Sequence, residues 1–252
     1  MTEKAEEKQY RCPGESYTIS DSVCRGRQRV NYPKCNVCLE KIEPGGFAQS
    51  HAEPKLSINI FKSYDIRGKY PSELNDTTAH KIGTSIALFF REKNPDVKNI
   101  VVGRDMRLSS KSLANALIEG LCTAGLNVIN VGVVSSEMTY FAVGHYKYDG
   151  GVMVTASHNP AEYNGFKLCR EQAIPVSFET GIDRISKLTK QYHPLRGEHL
   201  GKVIVSDIFV DYKKHVLQFA SNLRHLRVVI DAGNGMAGKT IPLVCEGLPI
   251  EI

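Results

Sequence analysis

The chain has 252 residues, 42% of them hydrophobic and 23% charged, which is ordinary globular composition and enough length to bury a sizeable core. The net charge is +5 with both signs interspersed, no apolar run approaches the ~20 residues that cross a bilayer, and the charged N-terminus lacks the apolar stretch of a secretory signal. These features argue against a membrane anchor and a nucleic-acid-binding tail, and we expect a cytoplasmic protein with neither partner.

Residues 1–55 are predicted to form a small Cys-rich module followed by a linker. Residues 11–46 are rich in Cys, Pro, Gly, Arg and Tyr and show no sustained helical period. A set of cysteines falls within 27 residues and could supply the thiolates of a tetrahedral Zn²⁺ site, although the spacing is irregular for a zinc ribbon. The candidate zinc ligands are Cys12, Cys24, Cys35 and Cys38, with His51 as a replacement for one cysteine.

From residue 56 onward, segments typical of strands and helices alternate. Strands are predicted at Ile58–Tyr64, Asn99–Gly103, Leu126–Val131 and Val152–Thr155, with a further short run at Phe166–Leu168. Helices are predicted at Thr77–Lys93, with Ile82, Ile86, Phe89 and Phe90 on one face, from an N-cap at Ser109 to a stop at Gly125, and at Ser136–Lys147.

This alternation predicts an α/β domain over residues 56–202. Its sheet should be mixed, mostly parallel and covered by helices on both faces, because crossover connections place helices on each side. A helix predicted at Asp207–Asn222 and a strand predicted at Arg227–Ile230 then begin a second unit, 203–252, which we expect to be incomplete.

Ser157 lies two residues after the end of the predicted strand Val152–Thr155. Loops at the carboxyl ends of such strands converge on one crevice and bind ligands there. A hydrolase triad is disfavoured, because His158 is adjacent in sequence and would point the opposite way in an extended segment, and because no G-x-S-x-G elbow is present. The hydrogen-bonding and cationic groups of His158, Asn164 and Lys167 suit a phosphate ester instead.

Four segments then carry a resemblance to a known family. They are TASHNP at 155–160 with YNGFK at 163–167, FKSYDIRG at 61–68, GRDMRLSS at 103–110 and DAGNGMAG at 231–238. In kind and order they resemble the motifs of the α-D-phosphohexomutases, in particular the phosphomannomutase/phosphoglucomutase branch. The resemblance covers the chain from about Asn59 onward and does not extend to the Cys-rich module.

The resemblance implies an isomerase that interconverts hexose 1-phosphate and hexose 6-phosphate through a phosphoserine at Ser157. It further implies a glucose 1,6-bisphosphate-type activator and Mg²⁺ held through phosphorylated Ser157. Arg67 would neutralise charge on the phosphoserine from the loop after the first strand, and Lys167 and His158 would handle the hydroxyl proton. The remaining site residues implied are Tyr64, Asn159, Asn164 and Arg104, the last of which could instead form an ion pair with Asp105 or another carboxylate.

The family's metal loop, Asp-Gly-Asp-x-Asp-Arg, is absent, and the sequence contains no Asp-x-Asp. Mg²⁺ usually needs one or two carboxylates, so its site is expected to be incomplete here. The family's loops that contact the sugar hydroxyls and the non-reacting phosphate are also absent. Binding energy from such contacts supports the reaction. We therefore expect little mutase turnover from this chain alone, and activity on addition of a complementing C-terminal half.

Two other functions remain open at this point. The Cys-rich module and an inert mutase domain could together form a non-catalytic scaffold or a sensor of sugar phosphates. Residues Gly233–Thr240 (GNGMAGKT) also satisfy the pattern of a phosphate-binding P-loop, which makes a nucleotide binder the lesser alternative.

Overall fold

The structure, a computed structural model, describes residues 9–10, 19–20, 58–194 and 200–252, and the chain divides into two units, Met1–Glu53 and Pro54–Ile252. In the first unit the described residues form an antiparallel pair of short strands, β1 (Gln9–Tyr10) and β2 (Ile19–Ser20). The predicted zinc ligands Cys12, Cys24, Cys35, Cys38 and His51 lie outside the described residues. The zinc module therefore stays a prediction.

The second unit contains a six-stranded sheet. Its strands are β3 (Ile66–Lys69), β4 (Asn99–Arg104), β5 (Asn127–Val133), β6 (Gly150–Val154), β7 (Tyr163–Arg170) and β8 (Val203–Val205). Their order across the sheet is β3-β7-β6-β4-β5-β8. Of these six strands, β7 is antiparallel to both of its neighbours and the other five share one direction. The predicted mixed, mostly parallel sheet is confirmed.

Helices cover both faces of this sheet, as predicted. On one face α1 (Asp76–Lys93) packs against α2 (Ser110–Thr123) and α4 (Asp183–Lys190), and the predicted apolar face of α1, including Ile82 and Phe89, is buried in the larger core cluster. The other face carries α3 (Ser136–His145) and α5 (Phe209–Leu217), whose side chains join a second cluster that contains Val101 and Met153 of the sheet. Burial on both faces explains why the four central residues of β4 (100–103) and all of β6 carry no polar side chain.

The strand predicted at Ile58–Tyr64 is wrong. Ile58–Ile60 forms a single 3-10 turn, and the strand begins later, at Ile66. Ile60 and Phe61 are buried in the core, and Phe61 forms one isolated bridge to Ile66 instead of a strand. The apolar residues that suggested a strand are therefore buried by a turn. As a consequence Arg67 lies on β3 itself and not on the loop after it.

The C-terminal residues form a second, smaller element pair. Strands β9 (Leu226–Arg227) and β10 (Ile250–Glu251) are parallel and flank α6 (Ala237–Cys245). Strand β8 follows the boundary predicted at residue 202 but pairs with β5, so the first sheet extends to Val205. Among the residues that the structure describes, no helix combines the length and apolarity required to cross a membrane.

Candidate active site

The candidate site lies at the edge of the sheet where β4, β5 and β6 end. Ser157 follows the end of β6 at Val154, and β7 begins at this same edge with Tyr163 because it runs antiparallel to β6. Arg67 on β3 pairs with Gly165 of β7, so it lies at this edge as well. The topology therefore brings Ser157, Arg67 and the end of β4 together, as the carboxyl-end rule predicts.

Ser157 is exposed, and its backbone is held in an uncommon conformation. Its φ of +54° lies in the left-handed region, which costs a non-glycine residue ~1–2 kcal/mol. The amide of Ser157 donates to Thr155 Oγ1 at 2.9 Å, and the amide of Asn159 donates to the carbonyl of Ala156 at 3.0 Å. These bonds stabilise a tight turn, the serine turn (residues 155–163), which presents the serine hydroxyl to solvent.

Arg107 also holds this turn, although it was not among the predicted site residues. Its guanidinium donates to the carbonyl oxygens of Ser157 at 2.9 Å, Asn159 at 2.6 Å, Pro160 at 2.8 Å and Tyr163 at 3.1 Å. A planar guanidinium offers five N–H donors in a fixed fork, which a lysine cannot reproduce. The sequence signal for Arg107 is its place in GRDMRLSS, one of the four segments that carry the family resemblance.

A buried carboxylate, Asp105, supports both Arg107 and the turn. It accepts hydrogen bonds from Ser110 Oγ at 2.5 Å, from Thr155 Oγ1 at 2.7 Å and from the Arg107 amide at 3.0 Å. Arg107 Nε lies 3.3 Å from the same carboxylate. Because Thr155 also accepts from the Ser157 amide, the network runs without a break from Asp105 to the serine.

Asn164 belongs to the same network, which corrects its predicted role at the substrate. Its side chain is fully buried, and its amide donates to Ser109 Oγ at 2.8 Å and Ser110 Oγ at 2.9 Å. An amide already satisfied in the interior is not available to a substrate phosphate. Asn164 therefore fixes the start of β7 against α2, and Ser109 uses its hydroxyl here and not to cap that helix.

Arg67 and Asn159, both predicted site residues, are in contact. Arg67 Nη1 donates to Asn159 Oδ1 at 2.6 Å, and its Nη2 is paired with the carboxylate of Asp65. Its Nε is buried and has no partner among the described residues. The guanidinium thus reaches the serine turn with its Nε donor unused.

His158 lies closer to Ser157 than an extended segment would allow. Its Nδ1 is 3.4 Å from Ser157 Oγ, because the left-handed φ of Ser157 makes this segment a turn, in which neighbouring side chains need not point in opposite directions. Lys167 is half-buried on β7 opposite Met153, and its ammonium has no ion pair or hydrogen bond among the described residues. Burial raises the pKa of nearby Cys169 to about 12, so this thiol stays protonated and is not a nucleophile at neutral pH.

Tyr64 and Arg104 complete the predicted set. Tyr64 is 78% exposed near the start of β3. Arg104 Nη1 donates to the backbone carbonyl of Asp105 at 3.3 Å, whereas the Asp105 carboxylate pairs with Arg107. The ion pair suggested for Arg104 and Asp105 is therefore made by Arg107 instead.

The comparison with known proteins agrees with this geometry. Residues 59–195 match the family model described as phosphoglucomutase/phosphomannomutase, alpha/beta/alpha domain I. The chain belongs to the phosphoglucomutase/phosphomannomutase family. This confirms the resemblance stated from the motifs, and the matched segment covers β3 to β7, the serine turn and α1 to α4.

Family relatives are similar over most of this chain. A phosphomannomutase of Vibrio cholerae is 40% identical over 186 residues, which are 73% of this chain and 40% of the relative. Phosphohexose mutases of Xanthomonas campestris are 40% identical over 198 residues, or 78% of this chain and 43% of theirs. A crystal structure of a phosphoglucomutase/phosphomannomutase family protein from Burkholderia thailandensis superposes with a TM-score of 0.69 at 31% identity, covering 78% of this chain and 43% of that one. The chain thus spans less than half the length of these relatives.

The residues around Ser157 do not form a Mg²⁺ site by themselves. The carboxylates connected to the serine turn are already engaged, Asp65 by Arg67 and Asp105 by Arg107 and two hydroxyl groups. No group of three or more His, Cys, Asp or Glu side chains suited to a metal occurs among the residues described. Because Mg²⁺ is usually bound through one or two carboxylates, the described residues around Ser157 do not by themselves fit the ion that the family resemblance implies.

The segment with the P-loop pattern also lies near the sheet edge. Lys239 Nζ donates to the carbonyl of Val133, the last residue of β5, at 2.8 Å. Strand β9, which precedes the segment, has two residues, and α6 contains Pro242. A lysine bonded to the backbone in this way favours the family interpretation, in which the segment is the first turn of the second unit, over nucleotide binding.

Proposed function

We propose that this chain provides the phosphoserine domain of a phosphohexomutase that interconverts hexose 1-phosphate and hexose 6-phosphate. The observation that carries the proposal is an exposed Ser157 on a turn fixed by Arg107, with Arg67 beside it. Phosphoryl transfer depends on positioning and charge neutralisation more than on covalent chemistry by the protein, and these residues supply both.

The proposed step transfers one phosphoryl group between two oxygens. Ser157 Oγ forms a bond to phosphorus as the bond from phosphorus to the sugar oxygen breaks, and the serine proton passes to a base while the sugar oxygen gains a proton. His158, 3.4 Å from Ser157 Oγ, and Lys167, unpaired among the described residues, are the candidate bases. Arg67 would stabilise the dianion on the serine. A glucose 1,6-bisphosphate-type compound would be the donor that first loads Ser157.

We propose that a second polypeptide supplies the sugar contacts and the carboxylates for Mg²⁺. It would correspond to the part of the relatives that this chain does not match. This follows from the carboxylates around Ser157, which are already engaged, and from the coverage of about two fifths of each relative. We therefore expect slow or absent turnover from the chain alone and turnover in the presence of such a partner.

The test begins with intact-mass measurement after incubation with glucose 1,6-bisphosphate. The expected result is a gain of one phosphoryl group, which is lost in Ser157→Ala and kept in Ser221→Ala, a control at another exposed serine. The C-terminal portion of the Vibrio cholerae phosphomannomutase is then added, and conversion of mannose 1-phosphate and glucose 1-phosphate is followed. A chain that neither takes up phosphate nor supports conversion would instead favour the non-catalytic scaffold.

A further inference from the structure

Arg107 bonds the serine turn through backbone carbonyl oxygens. Four carbonyls, from Ser157, Asn159, Pro160 and Tyr163, accept from its two terminal nitrogens at 2.6–3.1 Å. One side chain thus contacts both ends and the centre of the segment between β6 and β7. No other side chain among the described residues donates to more than one carbonyl of this turn.

The orientation of these carbonyls determines where the amides of the turn point. In a trans peptide the C=O and N–H bonds point in opposite directions. The carbonyls of Ser157 and Pro160 face the guanidinium, so the N–H groups of His158 and Ala161 face away from it. Within the described part of the chain these two N–H groups have no acceptor. Free amides of a turn are donors suited to a phosphate oxygen.

We propose that Arg107 is a positioning residue for phosphoryl transfer: it holds the serine turn by its carbonyls so that Ser157 and two free amides face the substrate. This inference rests on the proposed function of Ser157. Arg107 itself points its guanidinium at the backbone and at Asp105, and it acts on the reaction through the turn.

The charge of Arg107 and its geometry can be separated with Arg107→Lys. Lysine keeps the positive charge, but a single ammonium with three donors cannot bond four carbonyls in this arrangement. If positioning is the role, Arg107→Lys should slow phosphorylation of Ser157 by glucose 1,6-bisphosphate by about 10²-fold, the usual cost of a misplacement near 1 Å. The matched control is Arg184→Lys, since Arg184 pairs with Glu92 on the surface and contacts no site residue.

A second readout does not depend on transfer. With phosphoserine introduced at position 157, ³¹P NMR gives its second ionisation, which is close to pH 6 in unfolded peptides. Oriented amides stabilise the dianion, so the folded chain should ionise at lower pH than a phosphoserine peptide, and Arg107→Lys should move the midpoint toward the peptide. A midpoint unchanged by Arg107→Lys would overturn the proposal.

A third measurement uses the unmodified chain and remains valid if Arg107→Lys does not fold. Arginine-selective ¹⁵N labelling should show separate, slowly exchanging Nη protons for Arg107, because each terminal nitrogen donates to two carbonyls. Averaged, rapidly exchanging signals would contradict the proposal. If Ser157 of the wild-type chain takes up no phosphate, the proposed function fails and with it the role of Arg107 in transfer, whereas the two NMR results still show whether Arg107 holds the turn.

Discussion

Gly165 lies where β3 meets the start of β7, and replacing it by alanine should disturb both stability and the serine turn. A Cβ at this position would lie 2.0 Å from the carbonyl oxygen of Ile66 and 3.1 Å from Arg67 Cα. Both neighbours are backbone atoms of β3, so the clash cannot be relieved by rotating a side chain. The strands themselves must separate.

The size of the effect follows from these distances. An ordinary Cβ contact begins at 3.4 Å, so β3 and β7 must move apart by about 1.4 Å at this point. Overpacking of this kind costs ~1–3 kcal/mol, which for a chain of this size lowers the melting temperature by roughly 2–12 °C. Arg67 pairs with Gly165 in register and would move with β3, so its bond to Asn159 at 2.6 Å should be lost.

The assay combines urea unfolding of Gly165→Ala with phosphorylation of Ser157 by glucose 1,6-bisphosphate. The matched control is Gly144→Ala in α3, where an added Cβ meets nothing within 4 Å and where alanine should stabilise the helix by ~0.5–1 kcal/mol. We expect the two variants to change stability in opposite directions, with phosphorylation slowed only in Gly165→Ala. Equal stability of the wild type and Gly165→Ala would refute the packing argument.

Two further predictions concern buried polar groups. Asp105→Asn should lower the free energy of unfolding by ~3–5 kcal/mol, measured in urea, because it leaves the Arg107 charge without its buried partner. A loss below ~1 kcal/mol, the usual value of a surface ion pair, would contradict this, because it would show that Arg107 is already well solvated. Burial raises the pKa of Tyr140 to about 12, above its value of ~10 in the unfolded chain, so stability should fall as pH rises from about 10 to 12. Tyr140→Phe should reduce this fall, and an identical pH profile for the variant would contradict the assignment.

The helices could be predicted because their burial is periodic. Ile82, Ile86, Phe89 and Phe90 recur on one face of α1, and all four are buried in the core. The exact start was missed, since Asn75 caps the helix by accepting from the Thr78 amide at 3.0 Å. That signal was present in the sequence as Asn-Asp-Thr-Thr. Local patterns therefore predicted helices well and the strand before α1 poorly.

The site was predictable only in part, because its most connected residues use backbone partners. Ser157, Arg67 and Asn159 belong to recognisable motifs, and the structure brings the last two into contact. Arg107 bonds backbone carbonyls on a turn about 50 residues away. Every residue has a backbone carbonyl, so the residue types of the turn do not show which ones accept these bonds. Asn164 was misassigned for a related reason: a polar side chain beside a site can be satisfied in the interior, and burial is not visible in the sequence.

The way the serine turn is fixed bears on how one residue could serve two sugar positions. Its start is attached to β6, in which all five residues are buried, and its end is attached to β7 by pairing with β6 and β3. Arg107, from the segment after β4, holds it from a third direction. A turn constrained at three points offers Ser157 Oγ a small range of positions. In the proposed reaction the sugar must therefore present first one oxygen and then the other to a stationary serine, which requires it to turn over between the two transfers.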